Sequence, residues 1–162
     1  MTNRFVGTLS TTALAFLCAV PLARADAAAD VKAVMERFVR ALETSDIKAM
    51  DAIMARDKDS VWFGTDAAEH FVGYESVRAS LAKQLATYQG TKVTVKERSI
   101  KVSASGTVAW VTEVFDMTTH AGGEAVSVSG MRLTSVLEKR QGTWLMVHFH
   151  SSLPVAGQAV KY

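Results

Sequence analysis

Residues 77–95, Val77-Arg78-Ala79-Ser80-Leu81-Ala82-Lys83-Gln84-Leu85-Ala86-Thr87-Tyr88-Gln89-Gly90-Thr91-Lys92-Val93-Thr94-Val95, hold the change that decides the fold. Up to Tyr88 the apolar residues keep helical spacing, with Val77, Leu81, Leu85 and Tyr88 along one side. Gly90 is placed to stop that helix, and from Thr91 onward the apolar residues alternate as they do in strands. A chain that is helical before this point and extended after it is an α+β domain, in which one face of a sheet packs on the helices.

Toward the N-terminus, Val31, Val34, Met35, Phe38, Val39 and Leu42 form the stripe of an amphipathic helix over roughly 27–44. Ser45-Asp46 then caps a shorter helix in which Ile47, Met50, Ile53 and Met54 share a face. The charged run Arg56-Asp57-Lys58-Asp59 ends it, Val61-Trp62-Phe63 is extended, and Gly64-Thr65-Asp66 turns the chain. A third helix follows Gly73. Toward the C-terminus, Val93 and Val95 share a face with Ile100 and Val102 only if one residue is skipped, which predicts a bulge near Arg98. Residues 107–118, 124–138 and 143–152 read as further strands, joined at Ser105-Gly106, Ala121-Gly122-Gly123 and Gln141-Gly142 into an antiparallel meander.

The composition agrees with one ordinary folded domain: 162 residues, 49% hydrophobic, 10 Gly, 2 Pro and 1 Cys. This excludes collagen-like, disordered and disulfide-stapled proteins. At the N-terminus Arg4 precedes an apolar run from Phe5 to Leu22 that closes on Ala23-Arg24-Ala25, the pattern of a secretory signal peptide cut after Ala25. Thr8, Ser10, Thr11 and Thr12 dilute the run for a membrane span, and Leu17 before Cys18 is too large for a lipoprotein signal. The expected organisation is therefore a cleaved leader at 1–25, one domain at 26–154 and a tail at 155–162, in a periplasmic or secreted protein free of the membrane after cleavage. Cleavage removes Arg4 and Arg24 and no acid, so the formal charge falls from +2 to zero, and no basic patch marks a nucleic-acid partner. The expected partners are a small molecule and a second copy of the chain.

The densest polar constellation is the last strand. Strict alternation puts Trp144, Met146, His148, His150 and Ser152 on one face and Leu145, Val147, Phe149 and Leu153 on the other. Two imidazoles and a hydroxyl among bulky apolar neighbours suit a cavity wall, where they would hold a ligand or move a proton. The plain alternative is that the histidines satisfy buried backbone or carboxylate groups. His-x-His with His70, His120 or Glu69 could assemble metal ligands, but without HExxH, cysteine or a carboxylate cluster no metal site is expected. Arg132, in an apolar strand, calls for a carboxylate from a ligand or from Glu113 or Asp116, which lie on opposite faces of their strand. The segment from Trp62 to Tyr74 is rich in aromatic and polar groups, enough to form a pocket rim or simply to close the core. No nucleophile elbow, phosphate loop or dinucleotide fingerprint occurs, and no cofactor is expected.

The order of elements, Val61-Trp62-Phe63-Gly64-Thr65-Asp66 with Glu69 and Gly73, Arg132-Leu133-Thr134, and the ending from Gly142 to Ser152 resemble a SnoaL-like domain of the nuclear transport factor 2-like superfamily. The last strand is also similar to that of the association domain of calcium/calmodulin-dependent protein kinase II. The resemblance implies a cone-shaped, strongly curved antiparallel sheet around a long N-terminal helix, an internal pocket and a homodimer formed through the sheet. It carries Trp62, Arg132, Trp144, His148, His150 and Ser152 over as pocket or pocket-supporting residues. The superfamily holds isomerases, cyclases, dehydratases and non-catalytic modules, so membership alone leaves function open. The leading expectation is a small-molecule-binding domain whose Trp62, Arg132, His148, His150 and Ser152 meet an anionic or carbonyl-bearing ligand. The alternatives are a cofactor-independent isomerase, dehydratase or cyclase with His150 or Asp116 as general base, and a structural self-association module.

Overall fold

A computed structural model describes residues 19–158 and 160 of the chain. Of the expected leader, residues 1–18 lie outside the described residues, and from Ala19 the backbone is helical. Helix α1 (Ala19–Glu43) buries Val31, Val34, Met35, Phe38 and Ala41 along the anticipated stripe. Asp46 caps α2 (Ile47–Asp51), its carboxylate accepting from the amides of Lys48 at 2.9 Å and Ala49 at 3.0 Å. Ile53 and Met54 lie beyond this helix rather than in it. The Met146 amide donates to the Ile53 carbonyl at 2.8 Å, and the Ala55 amide to the Met146 carbonyl at 2.9 Å, so sheet pairing replaces helical bonds there.

Strands β1 (Val61–Phe63) and β2 (His70–Val72) form a short antiparallel pair, and β2 corrects the reading of this segment as a plain connection. Helix α3 (Tyr74–Thr87) passes straight into β3 (Tyr88–Val102), so Gly90 does not stop the helix; it sits inside the strand at a φ of +62°. Strands β4 (Val108–Ala121), β5 (Glu124–Arg140) and β6 (Thr143–Ser152) complete one six-stranded sheet in the order β2-β1-β6-β5-β4-β3. Its long strands form the expected antiparallel meander, while β1 pairs with β6 in parallel and makes the sheet mixed.

Irregularities in the ladders curve the sheet over α1. Gly90-Thr91 stand opposite Thr119 alone, Lys96 is extra on β3, Ser129-Gly130 stand opposite Asp116 alone, and Val147 is extra on β6. The bulge expected near Arg98 is thus found at Lys96, and it restores Val93, Val95, Ile100 and Val102 to one inward face. The core lies between that face and α1, with Met35, Met50, Ile53, Val111, Leu133, Leu137 and Met146 fully buried. Trp144 is buried too, and its indole nitrogen has no hydrogen-bond partner among the described residues. Arg140 clamps the segment after α2, with both guanidinium prongs on Asp57 at 2.7 Å.

Two carboxylates stand beneath the inner face, at different places. Glu113 on β4 is only 3% exposed and is paired with Arg98 of β3, whose guanidinium also lies 4.0 Å from Glu36 of α1. Burial pushes the Glu113 carboxyl above its usual range, and the Arg98 hydrogen bond and charge oppose that push. The second is Glu69.

Candidate functional site

The β1–β2 connection is short, and its shape is set by one side chain. The Gly64 amide donates to the Glu69 carbonyl at 2.8 Å, while Glu69 Oε2 accepts from the amides of Thr65 at 2.7 Å and Asp66 at 3.2 Å. The carboxylate therefore replaces a backbone acceptor for two loop amides. It lies so close to Gly64 that a Cβ there would stand 2.1 Å from Oε2, so any larger residue must displace the carboxylate. Oε1 has a single long contact, with Gln84 Nε2 of α3 at 3.5 Å.

This anchored carboxylate borders a cavity of about 130 Å³ between α1, α3, the β1–β2 pair and the inner face of the sheet. Helix α1 contributes Phe38 and Leu42, β1 and β2 contribute Trp62 and Phe71, and α3 contributes Val77, Ser80, Leu81 and Gln84. Phe115, Met117, Met131, Phe149 and Ser151 come from the sheet, and Tyr88 from the junction of α3 with β3. Phe149 joins two of the other rings: its centroid is 5.2 Å from stacked Trp62 and 5.6 Å from Phe38. Burial pushes the Tyr88 phenol up, and the negative charges of Glu69 and Asp66 push the same way, so it stays protonated at neutral pH. Among the described residues the lining holds no lysine, arginine or histidine, and Glu69 is its one charged side chain. Its chemistry is that of an aromatic-walled niche with hydroxyl, amide and carboxylate groups available for orientation.

Among the expected ligand-binding residues, Trp62 lines this cavity; Arg132, His148, His150 and Ser152 do not. The bulge at Val147 is the physical reason. Trp144 and Met146 point inward as strict alternation requires, but the extra residue reverses the phase, so that Phe149 and Ser151 face in and His148, His150 and Ser152 face out. His148 Nδ1 lies 2.6 Å from the Val61 carbonyl and ties β6 to β1, which is the plain alternative considered for these imidazoles. His150 is exposed, with its ring 5.5 Å from Phe63, which in turn stacks on His70 at 4.9 Å. Arg132 is exposed beside Ser152 because the alternation of β5 turns it to the outer, solvated face, and the two carboxylates offered as its partners are engaged elsewhere. Glu113 pairs with Arg98, and Asp116 accepts from the Gly130 amide at 3.0 Å and meets Lys96 at 3.1 Å. These bonds hold the Asp116 carboxyl below its usual range, the Gly130 amide most and Lys96 next, and its register puts it on the outer side of the sheet. Among the described residues no three His, Cys, Asp or Glu side chains converge as a metal site.

Most of the lining was not singled out as functional by sequence reasoning. Phe38, Phe115, Met117 and Met131 carry only the signature of core residues, and Tyr88 reads as the end of a helical stripe. Glu69 did carry a signal, through its place in an aromatic and polar connection.

A sheet curved over a long helix, with a cavity opening between helices and strands, defines the class. The chain belongs to the SnoaL-like domain family, whose pattern it matches over residues 31–156. No curated protein matches the sequence. Among solved structures it is similar to a nuclear transport factor 2-like superfamily protein from Salmonella enterica, with 15% identity and a TM-score of 0.74 over 85% of this chain and 99% of the other. It is also similar to a candidate dehydratase of the same superfamily from Streptomyces avermitilis, with 18% identity and a TM-score of 0.72 over 82% and 99%. A candidate calcium/calmodulin-dependent protein kinase II association domain from Xanthomonas campestris shares 24% identity and a TM-score of 0.66 over 78% and 87%. At these identities the likeness is one of fold.

Proposed function

We propose that this protein is exported through its N-terminal leader and binds a small molecule in the cavity bordered by Glu69. The observation that carries this reading is the lining itself: converging aromatic rings from six separate elements around a space left open between helices and sheet, with a fixed carboxylate at one side. A core optimised only for stability closes such a space. Export is supported by Arg4, the apolar run Phe5–Leu22 and the Ala23-Arg24-Ala25 site.

A homodimer through the outer face of the sheet belongs to the same proposal. That face carries exposed Phe63 and Trp110 together with Arg132 and His150, a mixture suited to a partner surface. Native mass spectrometry of the protein recovered from its own compartment tests all three parts. The expected species is a dimer starting at Asp26 and carrying an organic mass that Met131→Trp, which fills the cavity, removes. A chain that keeps its leader overturns export, a monomer overturns the dimer, and an organic mass retained by Met131→Trp overturns the cavity as its site.

A further inference from the structure

Resting on the small-molecule reading above, we infer that the cavity selects an amine: a single-ring apolar body among the aromatic side chains, with its ammonium group on the Glu69 carboxylate. Size sets the body. A cavity near 130 Å³ is comparable with one of about 150 Å³ that takes up benzene, so one ring fills it and any larger body extends into the groove at its mouth.

Charge sets the functional group. Glu69 is the one charged side chain of the lining, and the nearby basic group, Lys83, is exposed in the groove that adjoins the cavity mouth along α3. A ligand carboxylate would bring a second negative charge beside Glu69 and Asp66 with no guanidinium or imidazole to meet it. An ammonium group meets an anion already fixed in place, since Oε2 is held by two loop amides and packed on Gly64, while Oε1 has only the 3.5 Å contact to Gln84. The same lining holds the rings of Trp62, Phe71 and Tyr88, a class of side chain that attracts cations. The upward push on the Tyr88 phenol from Glu69 and Asp66 reports the same negative field. A neutral alcohol could also donate to Glu69, but a hydrogen bond between charged partners is roughly twice as strong. The anionic or carbonyl-bearing ligand expected from the sequence depended on Arg132, His148 and His150, which lie outside the cavity.

The test uses three ligands of one shape, benzylammonium, benzyl alcohol and benzoate, with dissociation constants measured by protein-observed NMR at neutral pH on the protein as purified. Benzylammonium should bind at least about 10-fold more tightly than benzyl alcohol, with benzoate weakest. Glu69→Gln should erase the ammonium preference while changing benzyl alcohol affinity by less than about threefold, and Lys83→Gln should leave the order intact. Benzyl alcohol or benzoate binding the unaltered protein as well as benzylammonium overturns the amine inference and leaves the small-molecule reading standing. The same holds if Glu69→Gln retains the preference. Failure of all three to bind, with shifts no different from those in Met131→Trp, overturns the small-molecule reading and the amine inference with it.

Discussion

Glu113 and Glu69 are both carboxylates reached from the inner side of one sheet, yet they have opposite surroundings. Glu113 sits in regular β4, is nearly inaccessible and is matched by the Arg98 guanidinium. Glu69 sits on a connection, is held by loop amides rather than a cation, and keeps one oxygen with only a long contact. The difference separates two uses of the same group. A buried ion pair has its charge cancelled and cannot serve a ligand, whereas a carboxylate fixed by neutral donors keeps its net charge for whatever enters.

The sharpest way to break this comparison is Arg98→Met, which should cost about 3–5 kcal/mol by leaving Glu113 buried without its partner. Denaturant unfolding reads the loss, and adding Glu113→Leu should recover most of it. The pH dependence has a defined sign. A carboxyl raised in the native state contributes stability that is present below its ordinary value of 4.5 and lost as pH rises through the native value. With Arg98 gone that rise grows, so Arg98→Met should be less destabilised in acid than at neutral pH; equal loss at both would show that Glu113 is not the cause.

At the other carboxylate, Gly64→Ala forces Oε2 off the loop amides. It should leave the fold intact and weaken benzylammonium binding about 10-fold, equivalent to about 1.4 kcal/mol, while benzyl alcohol changes less. Unchanged benzylammonium affinity would detach the loop geometry from recognition. A smaller effect is expected at Asp57, where the bond to Arg140 lies in partly exposed side chains: Asp57→Asn should cost about 1 kcal/mol at neutral pH. The Arg140 hydrogen bond holds the Asp57 carboxyl below its ordinary 3.8, so its contribution is present above that value and lost as pH falls through the lower native one. Acid titration of the stability difference checks the sign, which is opposite to that at Glu113. Least of all, Lys32→Ala removes an exposed one-turn pair with Glu36 and should leave the thermal unfolding midpoint nearly unchanged.

The two ends of this comparison were unequally legible in the sequence. Helix α1, the long strands and the bulge near Arg98 could be read because each extends over enough residues for its period to repeat. Strand β2 could not, because three residues define no period, and neither could the parallel seat of β1 on β6, because pairing of distant segments leaves no local trace. The placement of His148 and His150 turned on one extra residue, Val147, flanked by apolar neighbours that fit either phase. The cavity wall was harder still. Phe115, Met117 and Met131 are chemically identical whether they enclose a space or fill one, and only the relative positions of helix and sheet decide which. The fold class, by contrast, follows from the order of elements and survived every local shift.

The three tryptophans occupy three separate environments: Trp62 walls the cavity and is 4% exposed, Trp144 is 3% exposed in the core with its indole nitrogen unpartnered, and Trp110 is 46% exposed on the outer face. The protein thus carries its own optical probes, one each for the cavity, the core and the outer face. Single-tryptophan variants would turn them into separate channels, so that filling of the cavity, loss of the core and burial of the outer face could be followed without any added label.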